Sequence, residues 1–434
     1  MQNTFNQEID AILREEINPN IRAFVNRKAR TWNKVKEGAA ESVNTRGAIK
    51  IAEVEPNPSN RGYAEGGRYA NFGSSKDIRH RIFFVRWSKG RRYSKDALAQ
   101  LRAGKGIKGF SRHISNDQKD MAREINRQVV QSNSRGDVGV VDTSGVVSSG
   151  ANGVLQFTST NGVYFLLKNA EYMLWDPTGL AYRTNGGGSA FTMICTGKTS
   201  STRRATFDTV PNDAADGDIL VYADSANRAM HGIPYHVSDA ATDYQGQSRA
   251  VYEVLRSRVY SNLTNGSPSP LSIALMDRAE GARDFLEDDE DNPSLQWCCS
   301  KTQYTAYIRL GDSYQRVINQ SGVANLDLGV KNVSHRHTFH VDPDWRDDQM
   351  HLLDWSCFGR YVLPGGEPGM LEQEQGGYWR EVMNFDTSGN GGYFDQTGYY
   401  MGFKMDLGGD MPTRNLALTD LATTGLPTKI NSRT

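Results

Sequence analysis

Hydrophobic positions change period several times along this chain, and each change marks an element. Phe5, Ile9, Ile12 and Leu13 recur at helical spacing. The pattern stops at Asn18-Pro19-Asn20, which predicts a short amphipathic helix with no partner nearby in sequence. Residues 21–45 read as a polar, basic arm carrying Arg22, Arg27, Lys28, Arg30, Lys34 and Lys36. From Ala48 to Glu55 apolar and polar residues alternate, and Ile78 to Trp87 does so again after an excursion through Pro56, Pro58, Gly62, Gly66, Gly67 and Gly73. The two runs predict one long two-stranded ribbon with a broad tip. A ribbon of two strands has no core to cover its faces, so it must lie on another surface. Arg79, Arg81, Arg86, Lys89, Arg91 and Arg92 on the return strand predict that this surface is acidic.

Ser94 is placed to cap a short helix through Leu98 and Leu101, and Ser115-Asn116-Asp117 to cap a longer one through Met121, Ile125 and Val129 to about Asn133. Residues 137–230 are then dense in strand and turn signals: Val154–Phe157, Val163–Leu167, Phe191–Ile194, Ala205–Phe207 and Ile219–Tyr222. That spacing predicts a small β-barrel or sandwich. Beyond Gly232 the pattern is mixed, with helices expected at about 248–260 and 271–285 and strands near 303–310, 335–342 and 398–406. The run Glu287–Asp291 reads as a solvated loop, and no internal repeat is present. The fold class is α+β.

Composition sharpens this picture. With 434 residues and 38% hydrophobic content, two or three folded regions plus exposed arms fit better than one compact enzyme core. The 43 glycines sit largely in turn-forming pairs between short strands. Net charge is zero, with 50 Lys+Arg and 50 Asp+Glu, but residues 1–135 hold 27 of the basic and 14 of the acidic residues. The N-terminal third is therefore +13 and the remainder −13, a split that suits the basic segment of one copy resting on the acidic body of the next, against the plainer reading of two solvated surfaces that never meet. Cys195, Cys298, Cys299 and Cys357 show neither a CxxC pair nor a secreted spacing, which points to a reducing cytoplasm and buried thiols. No apolar run approaches membrane-spanning length and the N-terminus is polar and acidic, so a soluble, non-secreted protein with no membrane partner is expected.

Chemistry-bearing motifs are weak. Gly104-Lys105-Gly106-Ile107-Lys108-Gly109 matches the dinucleotide fingerprint in letters, but no buried strand precedes it. Gly197-Lys198-Thr199 has the tail of a phosphate loop, with Thr192 where its leading glycine should stand. His335, His337 and His340, followed by Asp342 and Asp344, have metal-ligand flavour. On a strand, however, His335 and His337 share a face with Phe339 and Val341 while His340 points away, so they read as structural imidazoles. No GxSxG, HExxH or CxxC occurs. Aromatics lie among the basic residues (Phe24, Trp32, Tyr63, Tyr69, Phe72, Trp87, Tyr93); they suit nucleic-acid binding or packing anchors in an interface. No catalytic residue, metal or cofactor is predicted.

The order basic arm, long ribbon, short helix, longer helix, β-rich insert, mixed body resembles the major capsid proteins of tailed bacteriophages, the Hong Kong phage type whose shell fold is shared with herpesvirus capsids. Local wording agrees: Arg68-Tyr69-Ala70-Asn71-Phe72-Gly73 before the basic strand and Tyr93-Ser94-Lys95-Asp96; Ala215-Asp216-Gly217-Asp218 before Ile219–Tyr222, then Met230-His231-Gly232; Tyr244-Gln245-Gly246-Gln247; and His340-Val341-Asp342-Pro343 through His351. The resemblance implies a tailed-phage capsid fold: an N-terminal arm at 1–45, an extended β-hairpin loop at 46–93, a spine helix and peripheral domain at 94–150, an inserted small β-domain at 151–230, an axial domain at 231–395 and a C-terminal return at 396–434.

Some members crosslink a lysine of the extended loop to a neighbour; Lys50, Lys76 and Lys89 are available here, but no acceptor is evident and crosslinking is not expected. Nor is a recognisable protease or scaffolding extension present at the N-terminus. The implied function is a non-enzymatic virion shell subunit, built into hexamers and pentamers in the host bacterial cytoplasm, with packaged DNA on the inner surface. A separate scaffold, portal or decoration protein are the further partners implied. Neighbour contacts are expected at Arg22, Arg27, Lys28, Arg30, Arg68, Tyr69, Phe72, Arg79, Arg81, Arg86, Trp87 and Arg91. The alternatives are the shell of a bacterial protein compartment of the same fold, a nucleic-acid-binding protein, or a metal enzyme.

Overall fold

The computed structural model describes residues 18–55, 76–94, 96, 107–133, 135–185, 190–284, 295–319, 337–371, 379–385 and 391–427. The expected helices at 5–17 and 94–101, the ribbon tip and the acidic run Glu287–Asp291 fall outside these residues or nearly so. The chain is α+β, and its backbone organises around one 19-residue strand, Gly391–Gly409. One edge of it takes Val85–Ser94 antiparallel, from Gln396 opposite Ser94 to Met405 opposite Val85. Its other pairings are with Trp379–Phe385, Gly369–Met370 and Phe358–Val362 in turn.

A 25-residue helix, Ile107–Gln131, lies on this sheet. Met121, Ile125 and Val129 recur at i, i+4 and i+8, the helical period, and are buried in one cluster with Tyr399, Met401, Phe403 and Met405. The helix starts eight residues before the Ser115 cap read from sequence: Ser115-Asn116-Asp117 lies inside it. Residues 21–28 also depart from expectation, forming the helix Asn18–Lys28 and not an arm. The reason is a sparse stripe, Ile21, Val25 and Ala29 four residues apart, each fully buried in the same cluster while Arg22, Arg27 and Lys28 stay exposed.

A second sheet orders Arg258–Ser261, Leu416–Thr419, Met350–Asp354, Leu295–Cys299 and Thr338–Val341. Its three central strands are buried on both faces because both faces are covered. Leu295, Trp297, Cys299, Met350, Leu352, Leu416 and Leu418 share one core with Met276 and Ala279 of the helix Ile273–Asp284, whereas Cys298, Leu353 and Ala417 enter the core under the first sheet. The segment 303–310, expected as a strand, belongs to the helix Lys301–Asn319. Its β-branched and aromatic letters mislead, since Tyr307 and Leu310 pack at helical spacing against Phe339 and Trp297's core. The helix expected at 248–260 is instead a short hairpin strand Gln247–Ser248, a single turn Glu253–Leu255 and the strand Arg258–Ser261.

The β-rich segment closes on itself. Glu171–Asp176, Met193–Thr199, Arg204–Phe207, Val154–Phe157, Gly139–Ser148 and Ile219–Tyr222 pair in that order, and Ile219–Tyr222 pairs back onto Glu171–Asp176. A closed ring has no free edge, and Leu155, Phe157, Tyr172, Leu174, Met193, Phe207 and Leu220 fill it. The barrel begins at Gly139, ahead of the boundary at 151. Val163–Leu167 is not a strand: Asn161–Tyr164 makes one helical turn that plugs the barrel with Val163, Phe165 and Leu166.

Candidate assembly surfaces

The ribbon pairs Gly47–Glu55 with Lys76–Phe83, with Ser42–Val43 on its outer edge. The expected continuation to Trp87 fails after Phe83. Val85–Ser94 leaves the ribbon for the sheet around Gly391–Gly409, so only Arg79 and Arg81 of the predicted basic row remain on the ribbon. Period-2 alternation gives the ribbon two unlike faces. Ile78, His80 and Ile82 are buried: Ile82 and Ala48 pack on Tyr361, and Ile78 on Tyr244 and Leu255. The turn Gln245-Gly246, both at positive φ, reaches up to it, with Arg81 N–H donating to the Gln245 carbonyl at 2.8 Å and Gln247 Nε2 to that of Arg79 at 2.9 Å. The opposite face stays open, with Arg79 across from Ile51, Arg81 across from Ile49 and Phe83 across from Gly47. Phe83 is 53% and Ile51 41% exposed.

Of the other predicted contact residues, Arg22 pairs with Glu367 at 3.4 Å, Arg27 lies over Phe24, and Lys28 and Arg30 are exposed. Arg68, Tyr69 and Phe72 lie outside the described residues. Trp87 stacks on Phe403 at 5.5 Å against the main core. Arg91 is taken within its own chain: its Nε and Nη2 donate to Asp117 at 2.5 and 2.7 Å. Asp117 also accepts from Tyr399 Oη at 2.9 Å and has Lys89 at 3.3 Å. Burial pushes this carboxyl up, but the Arg91 hydrogen bonds, with Lys89 and Tyr399, more than reverse it and hold it below the usual range. The sequence placed Asp117 as a helix cap, and nothing in its local pattern signals a partner from another strand.

A second buried network ties three regions together. Asn126 of the long helix donates to Asp342 at 3.0 Å and Asp344 at 2.7 Å, and Thr31 Oγ1 donates to Asp342 at 2.6 Å. His340 Nε2 lies 3.2 Å from Thr31 Oγ1, and burial lowers its pKa. His340 is thus occupied in packing, edge-on to Trp355; His337 is buried and His335 lies outside the described residues. Among those residues no three metal-binding side chains converge. Lys198 of the supposed phosphate-loop tail donates to the Leu166 carbonyl at 2.6 Å on a barrel strand. All four cysteines are buried and unbridged; burial pushes the Cys357 thiol up to about 12, the opposite of a nucleophile. A cleft of about 510 Å³ separates the barrel from the strand Val85–Ser94, with Arg86 and Lys89 on one wall and Glu171 and Asp224 on the other. No described helix is long and apolar enough to cross a membrane.

No family model matches the chain, and no curated protein does. Among solved structures it is similar to the capsid asymmetric unit of cyanophage A-1(L), at 13% identity and a TM-score of 0.49 over 90% of each chain. It is also similar to the capsid of the native GTA particle, at 7% identity and a TM-score of 0.44 over 91% of each, and to the capsid of Myoviridae phage XM1, at 8% and 0.38 over 90% of this chain and 91% of that one.

Proposed function

We propose that the protein is the shell-forming subunit of a tailed-phage head, assembling as hexamers and pentamers around double-stranded DNA and performing no catalysis. The observation that carries this reading is the ribbon's open face. Apolar Ile51 and Phe83 stand beside Arg79 and Arg81 on a two-stranded element, and apolar groups mixed with arginine are the composition of an interface. Arg22, Arg27, Lys28 and Arg30 extend the same basic character on the first described helix and its end. The charge division of +13 and −13 supplies the complementary surface on the next copy, and an assembly of this kind buries thousands of Å² per subunit, on the order of an obligate interface or more.

The test is a trimmed ribbon. Removing all of 46–93 would also delete Val85–Ser94 and with it Trp87 from the core, so that deletion tests folding and not assembly. Replacing residues 53–77 by a two-residue turn between the paired Ala52 and Ile78 leaves the buried base in place. Negative-stain microscopy should show shells or capsomers for the intact chain and a folded but unassembled protein for the trimmed one. Normal shells from the trimmed chain would refute the assignment. Shells that fill with a protein cargo and exclude DNA would favour a protein compartment instead.

A further inference from the structure

We propose that the open face of the sheet around Gly391–Gly409, carrying Arg86, Arg92, Lys404 and Tyr400, binds the phosphate backbone of nucleic acid. The two faces of one strand differ in how their charge is used. Val85–Ser94 alternates strictly in exposure. On its inner face Trp87 and Tyr93 pack against the core, and both cations are neutralised within the chain, Lys89 by Asp117 and Asp120 and Arg91 by Asp117. On its outer face Arg86, Ser88, Gly90 and Arg92 are exposed. Register brings Lys404 beside Arg86, Tyr400 beside Gly90 and Gly398 beside Arg92. Among the described residues none of Arg86, Arg92 and Lys404 makes an ion pair. The same strand therefore cancels its charge inward and leaves it available outward.

The shape of this face selects the partner. Tyr400 is 43% exposed, and its ring lies so close over Gly90 that a Cβ there would come within 2.8 Å of Cε1. Only glycine lets the ring lie down along the sheet. Arg86 and Arg92 stand about 20 Å apart on an extended strand, with small Ser88 and Gly90 between them. A run of spaced cations with one hydroxyl-bearing ring offers phosphate ligands, whereas a protein partner would need a pocket for an apolar anchor, and the cleft that Arg86 and Ser88 line is walled by charged groups, Lys89, Glu171 and Asp224 among them. The shell-subunit reading enters only in making the nucleic acid the enclosed genome.

The test uses the full chain, unassembled, and a 20-base-pair duplex of random sequence, with binding followed by fluorescence anisotropy as salt is raised. Each phosphate neutralised contributes about 0.9 to the slope of log affinity against log salt. Combined Arg86→Gln, Arg92→Gln and Lys404→Gln should lower that slope by about 2 to 3, with melting temperature and shell formation unchanged. The single variants R92Q and K404Q, each expected to lower it by about 1, keep the test valid should the triple variant misfold. An unchanged slope overturns the proposal, as does a triple variant that binds duplex normally but loses self-association, since the face would then meet another copy. Shell microscopy on the same variants separates the two readings: a slope loss in a protein that never forms shells sinks the shell function and leaves the binding face standing.

Discussion

Reversing Arg91 should destabilise the fold itself, apart from any effect on assembly. The Asp117 side chain is 2% exposed and that of Arg91 30%, so R91E leaves a buried carboxylate with Lys89 and the Tyr399 hydroxyl as its remaining partners. Removing one member of a buried, hydrogen-bonded pair costs about 3–5 kcal/mol; partial exposure of Arg91 and the surviving Lys89 put the loss near the lower end, about 3 kcal/mol. The introduced carboxylate adds repulsion of about 1 kcal/mol at the high effective dielectric of a half-exposed site. A total near 4 kcal/mol is a large share of a domain's 5–15 kcal/mol, and at an m-value of about 2–3 kcal/mol/M the urea midpoint should fall by roughly 1–2 M. R91K keeps the charge but loses the bidentate fork and should cost about 1 kcal/mol.

The pH arm has a definite sign. In R91E both burial and the new neighbour push the Asp117 pKa above its unfolded value, so the folded state takes up a proton first and the deficit shrinks as pH falls below about 5. Urea unfolding of the dilute, unassembled protein at pH 7 and 5, followed by tryptophan fluorescence, reads both effects. A midpoint for R91E equal to that of the parent chain at pH 7 would show that the Arg91–Asp117 pair does not hold the sheet to the long helix.

R79E with R81E, both exposed on the ribbon, should change stability by less than about 0.5 kcal/mol while abolishing shells in light scattering, and capsomer association of the parent chain should weaken as salt rises from 0.05 to about 0.5 M. His80 is fully buried on the ribbon's inner face with Nε2 unpaired, and burial lowers its pKa to about 4. Between pH 6.5 and 4 the unfolded chain binds the extra proton, so stability is complete above 6.5 and falls on acidification, by about 2 kcal/mol at pH 5. H80F should flatten that part of the stability–pH curve, and an unaltered curve would assign the acid sensitivity elsewhere. Trp297 is fully buried and donates to Glu280 at 2.5 Å. W297A should cost about 3–5 kcal/mol through cavity and lost bond together, visible as a large fall in thermal midpoint.

Local pattern alone determined a good part of the molecule: the helix Ile273–Asp284, the barrel strands Val154–Phe157, Arg204–Phe207 and Ile219–Tyr222, and the first two strands of the ribbon. In Val154–Phe157, Arg204–Phe207 and Lys76–Phe83 buried positions alternate as a strand's should, and Ile219–Tyr222 is a short apolar run bounded by turn residues. The segment 303–310 was misread because tyrosine, threonine and isoleucine favour strands, while its burial against Phe339 rewards a helix; tertiary packing overrode propensity. Residues 21–29 were missed because three apolar positions among exposed cations make a weak stripe until the long helix covers them.

The basic run 79–92 shows most clearly what sequence could not hold. Its letters are continuous, so they read as one strand with one role. Pairing with Gly391–Gly409, some three hundred residues away, split it after Phe83. It left Arg79 and Arg81 on a ribbon face, turned Lys89 and Arg91 inward to Asp117 and set Arg86 and Arg92 on an open sheet. Which cations are neutralised within the chain and which remain for a partner depends on register with a distant strand and on the helix behind it, and neither is encoded in the spacing of the basic residues themselves.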